Sequence, residues 1–296
     1  MDTQFDFERD GCLLVRNAVP SADLDPLIAH IEAAIDEYAQ SLRAKGEISD
    51  MHEDLPFPDR LVALNRGTEE RLRSWNNIAM GEGLYNVICH PGITRALLPI
   101  LGPGFGFNGD YHVRPKLPNS SYTAFPWHQD SQYYGADSQH ALIVTVWIPL
   151  VDVDERNGCL QVMPGSQTWG LLHGKRGADM NMRTNRDIDS MGTAVPLPMR
   201  KGDIFLFSNL TFHKSTLNLT DAVRWSIDIR YSRTLDEHEL SEQVVASEMF
   251  MQNKLAPNRA RIPLAGDARR PTWDEWRAEL VAKGSGLTKS VATAFA

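Results

Sequence analysis

The chain has 296 residues, 42% of them hydrophobic and 23% charged, and a formal net charge of −8. That length can bury the core of one large domain. The acidic balance argues against an extended nucleic-acid surface, which needs a basic stripe. No apolar run has the length of a membrane span, and the opening "MDTQFDFERDG" lacks the apolar core of a secretory signal. Cys12, Cys89 and Cys159 are widely spaced and odd in number, which suits buried thiols in a reducing compartment better than a disulfide framework or a zinc site. The expectation is a cytoplasmic protein with no nucleic-acid and no membrane partner.

The N-terminal part, to about residue 103, reads mostly helical. Asp25 can cap a helix, Pro26 suits its first turn and Gly46 can end it. Between them Leu27, Ile28, Ile31, Ile35, Tyr38 and Leu42 recur at helical spacing, a stripe that must lie on an apolar surface. A second helical stretch covers Leu84 to Leu98, with Pro91 as a break or restart.

From about residue 104 the texture changes to short strands and turns. "ALIVTVWIPL", Ala141 to Leu150, is β-branched and aromatic, the pattern of a buried strand. Asn157-Gly158 is a hairpin signal between "VDVDER" and "CLQVM". Gly202-Asp203 precedes a further strand, "IFLF". "RWSIDIRYS" alternates, with Trp225, Ile227, Ile229 and Tyr231 on one face and Arg224, Ser226, Asp228 and Arg230 on the other. Strands at this spacing up to about residue 233 suggest a double-sheeted barrel or sandwich. The polar segment His173 to Thr193 has the profile of a lid or insertion loop. In the C-terminal extension, about 234–296, Thr272 and Glu275 form a capping box ahead of Trp273, Trp276 and Leu280. The three parts, about 1–103, 104–233 and 234–296, are expected to make one domain.

The candidate chemistry lies in "FPWHQDSQYYG". His128 and Asp130 are two residues apart, so on an extended segment their side chains share a face. The tripeptide is weak alone, because His52-Glu53-Asp54 repeats it and His30-Ile31-Glu32 nearly does. Context separates them: His52 sits in a polar, charge-dense stretch, and on a helix, as at His30, positions i and i+2 diverge. A facial metal triad needs a second histidine from a distant strand, and His213 in "NLTFHKS" is the candidate. Arg224, eleven residues further on, can grip a carboxylate with two parallel hydrogen bonds.

The segments "WHQDSQYYG", "TVWIPLVDVDERNGCLQVMPGSQ" and "KGDIFLF", with His213, Ser215, Arg224 and Ser226 in order, resemble the phytanoyl-CoA dioxygenase family of Fe(II)/2-oxoglutarate-dependent oxygenases. "FERDGCLLVRNAVPSADLDPL" is similar to that family's opening, whereas the tail beyond about 235 is less diagnostic. The resemblance implies a mainly β fold, a double-stranded β-helix (jelly-roll, cupin-like) core buttressed by N- and C-terminal α-helices. It implies Fe(II), 2-oxoglutarate as co-substrate and O2, with succinate and CO2 released as a C–H bond of a small molecule is hydroxylated. His128, Asp130 and His213 would be the iron ligands, Arg224 and Ser215 would meet the distal carboxylate of 2-oxoglutarate, and Trp147 and Lys116 match co-substrate pocket positions more loosely. Related iron halogenases carry a small residue in place of the carboxylate ligand, so Asp130 argues against halogenation.

Several alternatives stay open. With the same cofactors the outcome can be desaturation, cyclisation or epimerisation, and a jelly roll can also bind a ligand without turnover. Arg224 is either lumenal, if Trp225, Ile227 and Ile229 face the helices, or a water-facing strand residue. Asp228 and Arg230 pair with each other without a catalytic role. Trp127, Tyr133 and Tyr134 either line the substrate pocket or pack, and His112 and His140 read as supporting rather than ligating. Lys175, Arg176, Arg183 and Arg186 either attract an acidic substrate or are solvated. Oligomeric state and substrate identity are not legible.

Overall fold

Strict alternation along Arg224–Arg233 sets the centre of the fold. The structure, a computed structural model, describes residues 4–65, 75–76, 78–233 and 261–283. The N-terminal elements are α1 (Phe7–Asp10), β1 (Cys12–Val15), α2 (Asp25–Ala44), α3 (Phe57–Leu64), α4 (Glu82–Ile88) and α5 (Pro91–Leu101). Next come β2 (Phe105–Lys116), β3 (Phe125–His128), α6 (Ser131–Tyr134), β4 (Ile143–Pro149), β5 (Leu160–Val162), β6 (Gly174–Arg176), β7 (Met182–Thr184) and β8 (Val195–Pro196). The last are β9 (Ile204–Ser208), β10 (His213–Ser215), β11 (Arg224–Arg233), β12 (Ile262–Pro263) and α7 (Trp273–Ala282). One sheet runs β1-β9-β4-β11-β2-β12 and a second runs β3-β10-β5-β8, while β6 and β7 form a separate hairpin. All the strand pairs are antiparallel. This is the jelly-roll architecture with flanking helices.

The apolar face of β11 decides which side the helices take. Trp225, Ile227, Ile229 and Tyr231 are fully buried and share one core with Leu27, Ile31, Ile35, Tyr38 and Leu42 of α2. Each aliphatic side chain in that layer contributes about 1.5–3 kcal/mol on burial. The opposite face of β11, Arg224, Ser226, Asp228 and Arg230, is therefore turned into the roll, where all four are also buried. A second core of Leu14, Trp147, Phe205, Phe207, Leu160 and Val162 joins the inner faces of the two main sheets.

Local signals hold with adjustments. Asp25 is the first residue of α2 rather than its cap, because a 3-10 turn, Ser21–Leu24, leads directly into the helix. Gly46 closes α2 in the left-handed region, with Glu47 N–H donating to Leu42 and Gly46 N–H to Arg43. Pro91 restarts a helix, and Nδ1 of His90 caps it by accepting from Gly92 N–H. The N-terminal part is not wholly helical: "CLLV" forms β1 and pairs with β9 at a sheet edge. Asn157-Gly158 does turn the chain, but the flanking segments part company, Val153 bridging Met199 while β5 pairs with β10 and β8.

His173 to Thr193 holds the β6–β7 hairpin rather than an open loop. In the C-terminal extension the capping box of α7 forms as expected, and the rest of that expectation, 234–260 and 284–296, lies outside the described residues. No helix among the described residues is long and apolar enough to cross a membrane.

Trp225 joins sheet to helices, stacked on Phe57 and edge-on to Trp75, each at 5.1 Å between centroids. Trp225→Ala is expected to cost about 3–5 kcal/mol in urea unfolding. Leu219→Ala, at a 62% exposed position, is expected to stay within about 0.5 kcal/mol of the parent.

Candidate metal centre

β3 ends at His128 and β10 begins at His213, and their antiparallel register sets the two histidines opposite each other, with ring centroids 4.2 Å apart. Asp130 joins them by a route the sequence did not suggest. It has left the extended conformation, with φ −58° and ψ −35°, and caps the single turn of α6. That turn, rather than strand alternation, swings its carboxylate toward the imidazoles. Nε2 of His128 and of His213 lie 3.9 and 3.7 Å from Asp130 Oδ1. The three donor atoms all fall within 4.8 Å of one another, and all three side chains are buried.

The tautomers follow from the partners. Nδ1 of His128 is 2.8 Å from the Pro126 carbonyl and Nδ1 of His213 is 3.1 Å from that of Thr211. A carbonyl only accepts, so each Nδ1 carries the proton and each Nε2 presents its lone pair toward Asp130. Asp130 Oδ2 accepts from Thr145 Oγ1 at 2.7 Å and from Arg230 Nη2 at 3.3 Å, leaving Oδ1 for the shared point.

Burial, reinforced by the neighbouring His213, pushes the His128 imidazole down to about 3, and burial lowers His213 as well. Burial alone would raise the Asp130 carboxyl, but Arg230 and the two imidazoles outweigh it and hold the group below the ordinary carboxylate range. Two neutral imidazoles and one carboxylate form a donor set suited to non-haem Fe(II) with open positions.

The triad opens on a cavity of about 440 Å³ that is also lined by Lys116, Trp147, Ser215 and Arg224. Lys116 and Arg224 are register partners on β2 and β11. Arg224 donates from Nη1 to Ser226 Oγ and from Nη2 to the Gly158 carbonyl at 3.2 Å, and lies over the Trp147 ring at 5.3 Å. Its Nε is buried without a hydrogen-bond partner, and no carboxylate among the described residues is within ion-pair reach. Burial brings it down to about 9. Lys116 Nζ donates to the carbonyls of Thr123 and Thr216, and burial, with Arg224 and Arg114 nearby, lowers it well below the usual lysine value. Gly158 has φ +77°, and a Cβ there would meet Lys116 Cδ at 2.9 Å. Arg224 is thus a buried guanidinium without an anionic partner among the described residues, with the Lys116 amine opposite it.

The remaining expectations separate cleanly. Tyr133, Tyr134 and His112 line the cavity, whereas Trp127 turns away, donating from Nε1 to Asp189 Oδ1 at 2.9 Å. His140 is exposed, His30 binds the Ile78 carbonyl, and His52 lies in a left-handed turn beside Asp50. Arg230 does more than pair with Asp228, since it also reaches Asp130. Thr145 and Arg230 were missed as supports of the triad. The legible trace of Thr145 is a lone hydroxyl inside the apolar run of β4.

A buried two-histidine, one-carboxylate cluster inside a jelly roll, beside an uncompensated arginine, defines the class of non-haem iron, 2-oxoglutarate-dependent oxygenases. Residues 7–226 match the sequence profile of the phytanoyl-CoA dioxygenase (PhyH) family, and the chain belongs to that family. It is 24% identical over 255 residues to the peroxisomal phytanoyl-CoA dioxygenase of Mus musculus, covering 82% of this chain and 72% of the relative. Among solved structures it is similar to the non-haem monooxygenase ThoJ in its apo form, with TM-score 0.62 and 20% identity over 98% of this chain and 95% of that one. It is also similar to the epimerase SnoN in complex with Fe3+, α-ketoglutarate and nogalamycin RO, with TM-score 0.51 and 19% identity over 77% and 80% of the two chains. The protein is an oxidoreductase that uses Fe(II), 2-oxoglutarate and O2.

The buried neutral histidines have a stability consequence in the metal-free protein. An unfolded histidine takes up a proton below about 6.5, whereas folded His128 resists until about 3. The unfolded state therefore binds more protons between these values, and stability falls as pH falls. Thermal unfolding of the metal-free protein is expected to show a falling Tm from pH 6.5 to pH 4.5, and a smaller fall in His128→Gln.

Proposed function

We propose that the protein hydroxylates an unactivated C–H bond of a small molecule, consuming O2 and 2-oxoglutarate and releasing succinate and CO2. The observation that carries this reading is the pairing of the buried triad with Arg224, whose charge has no counter-ion among the described residues, in one cavity.

In this reading His128, Asp130 and His213 hold the iron. The bound iron, with O2 and the keto acid, supplies the oxidising power for C–H cleavage. The chain's own groups do the rest. The Pro126 and Thr211 carbonyls lock both imidazole rings, and Thr145 and Arg230 stop the Asp130 carboxylate from turning. Arg224 takes the distal carboxylate of 2-oxoglutarate, steadied by Ser226 below and Trp147 alongside. Lys116 is pinned by two carbonyls across from Arg224, and Ser215, whose Oγ accepts from Phe125 N–H at 3.3 Å, keeps its own hydroxyl proton to donate. The β6–β7 hairpin narrows the mouth and limits water. The cytoplasm is the location we propose, in keeping with three buried, unbridged thiols; the peroxisome is named for mammalian relatives, the mouse protein among them.

Purified protein with Fe(II) and ascorbate is expected to convert 2-oxoglutarate to succinate, and product mass with a cognate substrate to show the gain of one oxygen. Metal binding without any succinate would refute turnover, and a loss of two hydrogens would replace hydroxylation by desaturation. Asp130→Ala is expected to abolish turnover and metal retention together. Arg224→Ala is expected to raise the 2-oxoglutarate KM by about tenfold or more, and unchanged saturation would remove Arg224 from this role. Thr145→Val, nearly isosteric, is expected to weaken Mn(II) affinity by about tenfold, read by calorimetry.

A further inference from the structure

The cavity has a second end, wired differently from the end that holds Arg224. β2 and β11 bring His112 opposite Asp228, and a bulge sets one residue of β11, Arg230, against three of β2, Asn108 to Asp110, leaving Asp110 beside Arg230. The carboxylates here are committed. Asp228 Oδ1 takes Arg114 Nε at 2.9 Å and Oδ2 takes Arg230. Asp110 takes the Tyr134 hydroxyl at 3.1 Å and lies 3.6 Å from Arg230 Nε.

The donors are not all committed. Arg230 Nη1 is 2.7 Å from His112 Nδ1. Asp228 Oδ2 also lies 3.2 Å from Nδ1, but the guanidinium is the closer contact and only donates, so Nδ1 accepts and the proton sits on Nε2. No described residue takes up that Nε2–H, and His112 lines the cavity with its side chain 29% exposed.

The second donor is Arg176 of β6. It lines the same cavity, with its guanidinium over the Tyr133 ring at 5.6 Å, and Tyr133 in turn stands edge-on to His128 at 5.5 Å. No carboxylate among the described residues is in ion-pair reach of Arg176. The hairpin that carries it is docked, since Met182 N–H donates to the Tyr133 hydroxyl at 2.9 Å and Gln132 Nε2 to the Leu172 carbonyl at 3.0 Å. Arg183 of the same hairpin is bound at 2.6 Å by both oxygens of Asp179. Spare hydrogen-bonding capacity at this end is thus donor in kind and positive in sign.

We propose that the substrate is a short, acceptor-rich carboxylate, its carboxylate on Arg176 at the mouth and a second oxygen on His112 Nε2–H, rather than a fatty acyl chain. An acyl chain would desolvate both donors and satisfy neither. The cavity, about 440 Å³, lies toward the small end of the usual range of roughly 300–1,000 Å³ and must also hold the keto acid. This inference rests on the oxygenase reading above.

The test follows succinate formation by the Fe(II) enzyme across a panel of amino acids, hydroxy acids and aromatic acids, each beside its primary amide, and phytanoyl-CoA. An acid is expected to exceed its amide in kcat/KM by about tenfold or more. Arg176→Gln is expected to erase that preference, Arg176→Lys to keep part of it, and His112→Phe to raise the KM of the acid. The proposal is overturned by phytanoyl-CoA as the best activator, by equal use of acid and amide, or by an acid preference intact in Arg176→Gln. It is overturned equally if no acid lifts succinate above the substrate-free level. Absence of succinate with and without substrate would instead overturn the oxygenase reading, and this proposal with it.

Discussion

Four polar side chains, Arg224, Ser226, Asp228 and Arg230, are buried on one face of a central strand whose other face is Trp, Ile, Ile and Tyr. The helices need the apolar face, because the stripe of α2 has nowhere else to go. The polar face is thereby forced inward, and buried charge is tolerated only where it is matched. The rest of the interior can be understood as the supply of those matches.

The two arginines of that strand show how matching separates architecture from ligand binding. Arg230 lies among Asp110, Asp130 and Asp228, which raise its proton affinity against the effect of burial. Arg224, six residues earlier on the same face, has a hydroxyl, a carbonyl and an indole ring but no carboxylate among the described residues, and burial lowers it. The first is matched in charge within the protein, although its Nε, like that of Arg224, makes no hydrogen bond, and it braces the Asp130 carboxylate. The second is left for a ligand in the reading proposed above. Residue type and strand face are identical, so only the surroundings distinguish the roles.

Much of this was legible in the sequence because it rests on short-range periodicity. The alternation of β11, the stripe of α2 and the lone Gly46 are local physics; spacing and context made His128, Asp130 and His213 candidates, and the resemblance implied iron for them. What was not legible depends on geometry between segments. Nothing in "HQD" shows that Asp130 enters a helical turn. The bulge through Gly109, at φ +99°, is visible only once β2 is laid against β11. Arg230 looked like a partner for Asp228 because a sequence gives nearest neighbours on a strand, not the carboxylate that approaches from α6. Thr145 was the exception that could have been caught, a hydroxyl in a buried apolar run needing a partner.

Family membership settles the oxidant and leaves the target open, because the two are read by different surfaces. The end that holds the triad and Arg224 is built from strands in fixed register, where Lys116 opposes Arg224 and His128 opposes His213. The mouth is built partly from an inserted hairpin held by side-chain contacts to Tyr133 and Gln132. A change of register would destroy the first end, whereas a change of sequence in β6 would alter only what the second end can hold. In the substrate reading proposed above, choice is carried by His112 and Arg176, which line the cavity away from the triad and Arg224.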